Sequence, residues 1–328
     1  MKTFAVSAVL ALGLSTTAAM AQTAAETAPQ TAAQTVAQTA AGFGPLVSAT
    51  EVQALAAGEA APLVLDIRGA AYDQGHIAGA VSAPYERFRG PKENPGALVP
   101  EDELEATLQE LGVTLERPVV VVHQGKDDSD FGAAARVYWT LKSSGVSQLA
   151  ILNGGMAAWG AEGLPLETKA TAPTPSDVDI TFSDRWLATT DDVSAIVNGE
   201  RQARLLDARP ASFFDGWQAH PAMSRPGTLP GAENVAHSVW FDDSVEVMNA
   251  PAANDVLARL GIGRDEEVVA FCNTGHWAAT EWFALSELAG VEDVKLYPES
   301  MVGWSQTGQD MDNTPGLVRN LLNQLRGN

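Results

Sequence analysis

Cysteine is nearly absent from this sequence, which has Cys272 as its single thiol among 328 residues. One cysteine cannot form a disulfide within the chain, and the lack of a Cys-x-x-Cys pair excludes dithiol redox chemistry and thiolate zinc clusters. The histidines offer no other metal site, because His76, His220 and His237 are scattered without metal-ligand spacing. We therefore expect no metal, and a thiol that stays free or is used chemically.

Positive charge is also scarce. The chain has 20 Lys and Arg residues against 41 Asp and Glu residues, which gives a formal net charge of −21. A protein this acidic is not expected to bind nucleic acid or an anionic membrane surface. Long apolar runs are missing after the first residues, so no membrane insertion is expected once those residues are removed.

The first residues differ in composition from the rest of the chain. Lys2 precedes an apolar run from Phe4 to Leu14, and Ala19-Met20-Ala21 is typical of a signal-peptide cleavage site. We therefore predict a signal peptide at residues 1–21 and a periplasmic location for the mature protein. Residues 22–42 are rich in Ala, Thr and Gln without apolar periodicity, which predicts a flexible low-complexity tether.

From Phe43 onward, short apolar segments of strand length alternate with helix-like segments. The strand-like segments are 63–65, 119–122 and 149–152, and the helix-like ones include 101–111 and 132–142. Such alternation is typical of a parallel sheet flanked by helices, so the predicted fold class is α/β.

The same order of segments recurs after a Pro/Thr-rich stretch at 171–176. Leu65-Asp66-Ile67-Arg68 recurs as Leu206-Asp207-Ala208-Arg209, and Met156-Ala157-Ala158-Trp159 recurs as Met301-Val302-Gly303-Trp304. We therefore predict two tandem copies of one domain, at 43–170 and 181–328, joined by a linker at 171–180.

The apolar segment 268–271 leads directly to Cys272 and is followed by a helix-compatible segment. Because Asn273, Thr274 and Gly275 are turn formers, the cysteine is predicted at the end of a strand beside a surface pocket. The first backbone N–H groups of the next helix would favour a thiolate there. A buried structural thiol is the alternative interpretation.

The corresponding position in the first copy is His123, which follows the segment 119–122. An imidazole cannot carry sulfur or an acyl group as a thiolate does. We therefore predict that the first domain is non-catalytic and forms one side of the pocket.

Together these motifs resemble the rhodanese family, the tandem-domain sulfurtransferases, over nearly all of the chain after Phe43. The resemblance includes the repeated Asp-x-Arg turn, the Leu-Pro-Gly-Ala-Glu-Asn segment at 229–234 and the single Cys272. It implies two rhodanese-like domains and a thiosulfate sulfurtransferase, in which the cysteine takes a sulfane sulfur as a persulfide and passes it to cyanide or a thiol. It also implies that no cofactor is required and that Arg209 holds the sulfonate end of thiosulfate, with an ion pair to Asp207 as the other interpretation.

The loop after the cysteine departs from both familiar patterns of that family. Thiosulfate-type loops often read Cys-Arg-Lys-Gly-Val-Thr and mercaptopyruvate-type loops read Cys-Gly-Ser-Gly-Val-Thr, whereas Asn273, Thr274, Gly275, His276 and Trp277 follow the cysteine here. We expect these five residues to line the substrate site. Because the loop has no Arg or Lys, His276 is the candidate replacement cation or proton donor, and a solvent-facing loop residue is the alternative.

The sequence also allows other functions. The alternative sulfur donor is 3-mercaptopyruvate, and a periplasmic sulfur carrier or binding module without turnover is the alternative to an enzyme. A cysteine-dependent phosphatase is disfavoured, because its loop ends in an arginine at the place where this chain has Ala278.

Overall fold

The computed structural model describes residues 43–316, with the exceptions of Glu59 and Met248. The predicted signal peptide at 1–21 and the predicted tether at 22–42 lie outside the described residues. Both repeats belong to one compact unit. Within the described range, no helix is both long and apolar enough to cross a membrane, and no group of three or more His, Cys, Asp or Glu side chains is placed to hold a metal ion.

The first repeat contains a sheet and the helices that flank it. Its strands are β1 (Leu46–Val47), β2 (Leu63–Asp66), β3 (Val81–Ser82), β4 (Val119–Val122) and β5 (Leu149–Leu152). Its α-helices are α1 (Ala49–Ala56), α2 (Glu101–Leu111), α3 (Asp128–Ser143) and α4 (Gly155–Ala161), and 3₁₀ helices lie at Gly69–Gln74 and Tyr85–Phe88.

The second repeat follows the same order of elements. Its strands are β6 (Arg204–Asp207), β7 (Glu233–Asn234), β8 (Val268–Phe271) and β9 (Val294–Leu296). Its α-helices are α5 (Thr190–Val197), α6 (Ala211–Phe214), α7 (Ala250–Leu260), α8 (Trp277–Phe283) and α9 (Ser300–Gln306). A 3₁₀ helix lies at His237–Trp240, and a π-helical segment, Ala284–Leu288, continues α8.

All strand pairs within the two described sheets are parallel, in the orders β1-β5-β4-β2-β3 and β7-β6-β8-β9. An isolated parallel bridge between Leu187 and Leu296 pairs another segment with β9, just as β1 pairs with β5. The interior strands β4 and β8 are buried along their whole length, which is why both are continuous apolar runs in the sequence. The predicted fold class is confirmed: two tandem α/β repeats, each with a parallel sheet flanked by helices.

Local signals repeat along with the topology. Ser48 and Glu51 form a capping box at the start of α1, and Thr189 and Asp192 form one at the start of α5. Helix α3 begins at Asp128, earlier than the predicted start at 132. Asp127 caps the helix at this earlier position, since its Oδ1 accepts a hydrogen bond from the backbone N–H of Asp130 at 2.9 Å.

Helices α3 and α8 pack against each other at the centre of the contact between the repeats. One cluster of buried apolar side chains contains residues of both repeats, whereas two further clusters each lie within one repeat. In the shared cluster, the Phe131 ring packs edge-on against Phe283 and Phe241, with ring centroids 5.5 and 5.8 Å away. Lys142 of α3 adds an ion pair with Glu287 at 2.8 Å. This interface brings first-repeat side chains next to the end of β8.

Candidate active site

Cys272 lies directly after β8, at the carboxyl end of the second sheet, and is 1% exposed. It opens the loop 272–277, called the cysteine loop below. The backbone N–H of Cys272 donates to Ser300 Oγ at 3.0 Å, and the N–H of Gly275 donates to the same oxygen at 3.2 Å. The Cys272 carbonyl accepts from the N–H of Met301 at 3.0 Å. The start of α9 therefore holds the backbone of the cysteine loop in one shape.

The end of a strand is where the sequence predicts the cysteine, but the thiol is enclosed rather than open at the surface. The first repeat covers the loop at Gly275, where a Cβ atom would lie 2.5 Å from Arg136 Nη1 and 2.6 Å from the carbonyl oxygen of Pro298. The φ of Gly275 is +67°, so both its conformation and the available space require glycine. Sequence reasoning expected the first domain on one side of the pocket, but it did not identify Arg136 there because this residue lies in a distant part of the chain.

Several donors of the cysteine loop are unused. The backbone N–H groups of Asn273, Thr274, His276 and Trp277 take part in no hydrogen bond within the part of the chain that the structure describes. The side chains of Asn273 and Thr274 are themselves buried. Consecutive backbone N–H groups in a turn form a concave site for an anion, so this loop is suited to a negatively charged sulfur group.

Arg209 is completely buried and forms an ion pair with Asp207, with Nη2 and Oδ2 2.6 Å apart. Its Nε donates to Asp207 Oδ1 at 2.8 Å and its Nη2 also donates to the Gly227 carbonyl at 2.9 Å. Its Nη1 donates to Asn273 Oδ1 at 3.2 Å. The ion-pair interpretation therefore describes its contacts, and through Asn273 the arginine positions the cysteine loop. Its hold on the sulfonate of thiosulfate stays a prediction.

Both ring nitrogens of His276 are engaged by the first repeat. Its Nε2 donates to the Ser129 carbonyl at 2.7 Å, and its Nδ1 accepts from the Tyr85 hydroxyl at 3.1 Å. Burial, and after it the positive charge of Arg89, lower the pKa of His276 from 6.5 to about 4. The ring is therefore neutral at neutral pH, and the expectation that His276 replaces the missing cation does not fit these contacts.

Trp277 also contacts the first repeat. Its Nε1 donates to Ser129 Oγ at 2.7 Å, and its ring stacks on His237 with centroids 4.8 Å apart. These contacts fix the first residue of α8 between the two repeats. The predicted contact of Trp277 with substrate stays a prediction.

Arg136 of α3 is the residue that the sequence analysis overlooked. It is 1% exposed, and its Nη2 donates to the Gly96 carbonyl at 3.0 Å. Burial lowers the pKa of Arg136 to about 10, although a negative charge on Cys272 acts in the opposite direction. The signal for it was a charged residue inside an apolar helix, within Ala133-Ala134-Ala135-Arg136-Val137-Tyr138-Trp139. An arginine is rarely buried completely unless a partner compensates its charge, so its position in this apolar helix indicates a specific role.

His123 occupies the first-repeat position that corresponds to the cysteine. It follows β4 directly, is 1% exposed, and its Nδ1 lies 2.9 Å from Asp130 Oδ2. Burial by itself raises the pKa of Asp130. The net pKa is nevertheless lowered, because Asp130 accepts hydrogen bonds from His123 and from the backbone N–H groups of Lys126 and Gly125, and the charge of His123 acts in the same direction. The side chain of His123 is thus held by a residue of its own repeat, Asp130.

Comparison with known proteins identifies relatives of both repeats. The model of the Rhodanese-like domain family matches at residues 48–162 and 189–307. The chain is 31% identical over 252 residues to the thiosulfate sulfurtransferase of Pseudomonas aeruginosa, over 76% of this chain and 89% of that protein. It is 29% identical over 243 residues to the 3-mercaptopyruvate sulfurtransferase of Escherichia coli strain K12, over 74% of this chain and 83% of that protein. The crystal structure of SseA from Escherichia coli, a 3-mercaptopyruvate sulfotransferase with the rhodanese fold, aligns with a TM-score of 0.68 and 25% identity, over 78% of this chain and 98% of that chain. Each matched region contains one repeat, and Cys272 lies in the second.

Proposed function

Because this chain belongs to the rhodanese-like family, with two such domains in tandem, and is a sulfurtransferase, we propose that thiosulfate is its sulfur donor and that Cys272 carries the sulfur as a persulfide. The observation that carries this proposal is the position of Cys272. The single thiol of the chain opens a loop whose N–H groups at 273, 274, 276 and 277 have no partner among the described residues.

The reaction consists of two displacements at sulfur. The Cys272 thiolate attacks the sulfane sulfur of thiosulfate, a new S–S bond forms, the original S–S bond breaks, and sulfite leaves with the electron pair. A thiophilic acceptor, cyanide or a thiolate, then attacks the terminal sulfur of the persulfide, and the Cys272 thiolate is released. The sulfur and electron balance closes without an external oxidant or reductant.

Every species that meets the thiol in this sequence of steps is an anion. The formal charge of −21 opposes the approach of thiosulfate, although salt screens this field over about 8–10 Å. Local donors must therefore offset the repulsion, and a hydrogen bond to a charged group contributes about 1.5–3 kcal/mol. The free N–H groups of the cysteine loop and the buried Arg136 support a doubly charged donor such as thiosulfate.

Steady-state kinetics with thiosulfate and 3-mercaptopyruvate side by side, with cyanide as the acceptor, tests the donor. We expect the higher kcat/KM with thiosulfate. A clearly higher kcat/KM with 3-mercaptopyruvate, the substrate named for the Escherichia coli relative, would contradict the proposal and identify 3-mercaptopyruvate as the donor. A single round of persulfide formation without turnover would identify a sulfur carrier instead of an enzyme.

Cys272→Ser tests the nucleophile. It replaces one sulfur atom by oxygen at a buried position, so the variant should keep the fold and lose sulfur transfer. After treatment with thiosulfate, mass spectrometry should find one added sulfur on the wild-type peptide that contains Cys272 and none on the variant. Turnover near the wild-type level in Cys272→Ser would contradict the assignment.

We also propose that the mature protein is periplasmic. The support is the sequence of the first residues, with Lys2, the apolar run from Phe4 to Leu14 and the Ala19-Met20-Ala21 site. Amino-terminal sequencing of the protein from a periplasmic fraction should begin at Gln22. Retention of Met1 on the protein in the cytoplasmic fraction would contradict the proposal.

A further inference from the structure

Arg136 is a buried cation whose donors are only partly used. One of its nitrogens, Nη2, donates to the Gly96 carbonyl at 3.0 Å, and its guanidinium carbon lies 5.2 Å from the centre of the Trp139 ring. Its Nε and Nη1 have no hydrogen-bond partner within the described part of the chain. No carboxylate among the described residues forms an ion pair with it. The existing contacts hold the side chain in place but leave its charge uncompensated.

An uncompensated buried charge is costly. The penalty persists even after the protein relaxes around the ion, and this chain has 41 Asp and Glu residues that could have supplied a partner. Burial lowers the pKa of Arg136 to about 10, and the nearby charge of Arg89 lowers it as well, whereas negative charges on Tyr85 and Cys272 raise it. The guanidinium is therefore still charged at neutral pH, and it lacks a counter-ion from the described chain.

The free Nη1 group lies against the cysteine loop. It is the atom that a Cβ at Gly275 would meet at 2.5 Å. The loop residues 273–277 include neither Lys nor Arg, and His276 is neutral. The positive charge beside Cys272 on this side of the loop therefore comes from the first domain, across the interface of α3 and α8.

We propose that Arg136 of the first domain binds the oxyanion end of the sulfur donor at the Cys272 site through its free Nη1 group. The ligand class is a small sulfur oxyanion: the sulfonate end of thiosulfate before transfer and sulfite after it. This inference rests on the proposed function, and it gives the first domain, which has no thiol, a direct part in binding substrate. A purely structural Arg136 would depend on the Gly96 and Trp139 contacts and would not need Nη1.

The test uses the full chain with two substitutions at this position and a matched control. Arg136→Met keeps the length and the apolar stem and removes the charge, and Arg136→Lys keeps the charge with fewer donors. Arg87→Met is the control, because Arg87 belongs to the same domain and pairs with Glu110 at 2.5 Å at a more exposed place. The first readout is protection of Cys272 from iodoacetamide by sulfate, a tetrahedral oxyanion that cannot transfer sulfur. The second readout is the KM for thiosulfate.

We expect Arg136→Met to raise both the sulfate concentration for half protection and the KM for thiosulfate by about ten- to a hundredfold, with a smaller change in kcat. Arg136→Lys should show intermediate values, and Arg87→Met should match the wild type. Unchanged sulfate protection and unchanged KM in Arg136→Met would overturn the proposal. If Arg136→Met does not fold, Arg136→Lys decides, and wild-type values for both readouts in that variant overturn it.

The two readouts separate this inference from the proposed function. If sulfate protection depends on Arg136 while the wild type does not turn over thiosulfate, the oxyanion site is supported and the thiosulfate function fails. If the wild type turns over thiosulfate and Arg136→Met has the same KM, the function stands and the role of Arg136 fails.

Discussion

At the scale of single residues, His276 has its protonation fixed by atoms far away in the sequence. The Ser129 carbonyl can only accept, so His276 Nε2 carries the hydrogen and Nδ1 is left as an acceptor for Tyr85. Arg89 Nη1 donates to the Tyr85 hydroxyl at 2.6 Å, which orients that hydroxyl toward the imidazole. In this arrangement Nδ1 accepts the hydrogen of the Tyr85 hydroxyl, and the ring is neutral at neutral pH.

The pH dependence of activity follows from this assignment. The pKa of His276 is depressed from its ordinary value of 6.5 to about 4, so the neutral ring persists until the pH falls through about 4. We expect His276→Gln, whose amide can donate to Ser129 and accept from Tyr85, to lower kcat/KM by the same factor across about pH 5–8. The measurement is the ratio of wild-type to variant kcat/KM at each pH, in buffers of constant ionic strength. A ratio that grows steadily as the pH falls from 8 toward 6 would mean that a charged imidazole contributes after all.

At the scale of an element, the cysteine loop is shaped by the first residue of α9. The Ser300 hydroxyl accepts from two backbone N–H groups of the loop and donates to the Tyr297 carbonyl at 2.7 Å. Ser300 has a φ of +50°, a left-handed conformation that is unfavourable for a residue with a Cβ. The hydrogen bonds of its completely buried side chain are what maintain that conformation.

Ser300→Ala should therefore damage both stability and activity. The substitution leaves the N–H groups of Cys272 and Gly275 buried without their acceptor, at a cost of about 1–3 kcal/mol each in the free energy of unfolding. Because the loop loses its anchor, we expect kcat for sulfur transfer to fall as well. Urea denaturation and steady-state kinetics measure the two effects.

Ser305→Ala is the matched control in the same helix. Its hydroxyl accepts from the N–H of Ser224 at 3.0 Å and donates to the Val302 carbonyl at 3.1 Å, without contacting the cysteine loop. This variant should lose stability and keep its kcat. Full sulfur transfer by Ser300→Ala would show that the loop keeps its shape without the serine.

Sequence reasoning identified the elements that are determined by residues close together in the sequence. The strands β4 and β8 are apolar runs because both faces of a parallel sheet are covered, and the repeated Asp-x-Arg turn is an ion pair between residues two positions apart. The contacts around the candidate site join residues that are far apart in the sequence, so no local pattern predicts them. The hydrogen bonds between His276 and Tyr85 and between His276 and Ser129 join residues 191 and 147 positions apart, and the partners of Ser300 in the cysteine loop are 28 and 25 positions away. The single Cys272 and the turn formers after it indicated a candidate site, and the repeat placed the first domain beside it, but the sequence did not identify which residues of that domain contact the loop.

At the scale of the whole molecule, the shared core makes the two domains one structural unit. Its cluster of buried apolar residues runs from the first sheet through α3 and α8 to the second sheet. Tyr138 of α3 donates to Glu287 at 2.8 Å, and burial together with the charge of Glu287 raises the pKa of that tyrosine. We therefore expect the domains to unfold together in a single transition.

Phe131→Ala tests whether this interface also encloses the thiol. Phe131 is 0% exposed and packs against Phe241 and Phe283 of the second domain, so its loss should lower the free energy of unfolding by about 3–5 kcal/mol. The cavity lies between the domains, and looser contact there should expose Cys272, which is 1% exposed in the intact protein. Iodoacetamide should therefore alkylate Cys272 faster in Phe131→Ala than in the wild type.

Leu152→Ala is the control, because it opens a cavity in a cluster that lies within the first domain alone, at a cost of about 2–5 kcal/mol. Comparable destabilisation with an unchanged alkylation rate in Leu152→Ala would assign the protection of the thiol to the interface. Equal alkylation rates in all three proteins would show that the cysteine loop and α9 enclose Cys272 without help from the first domain.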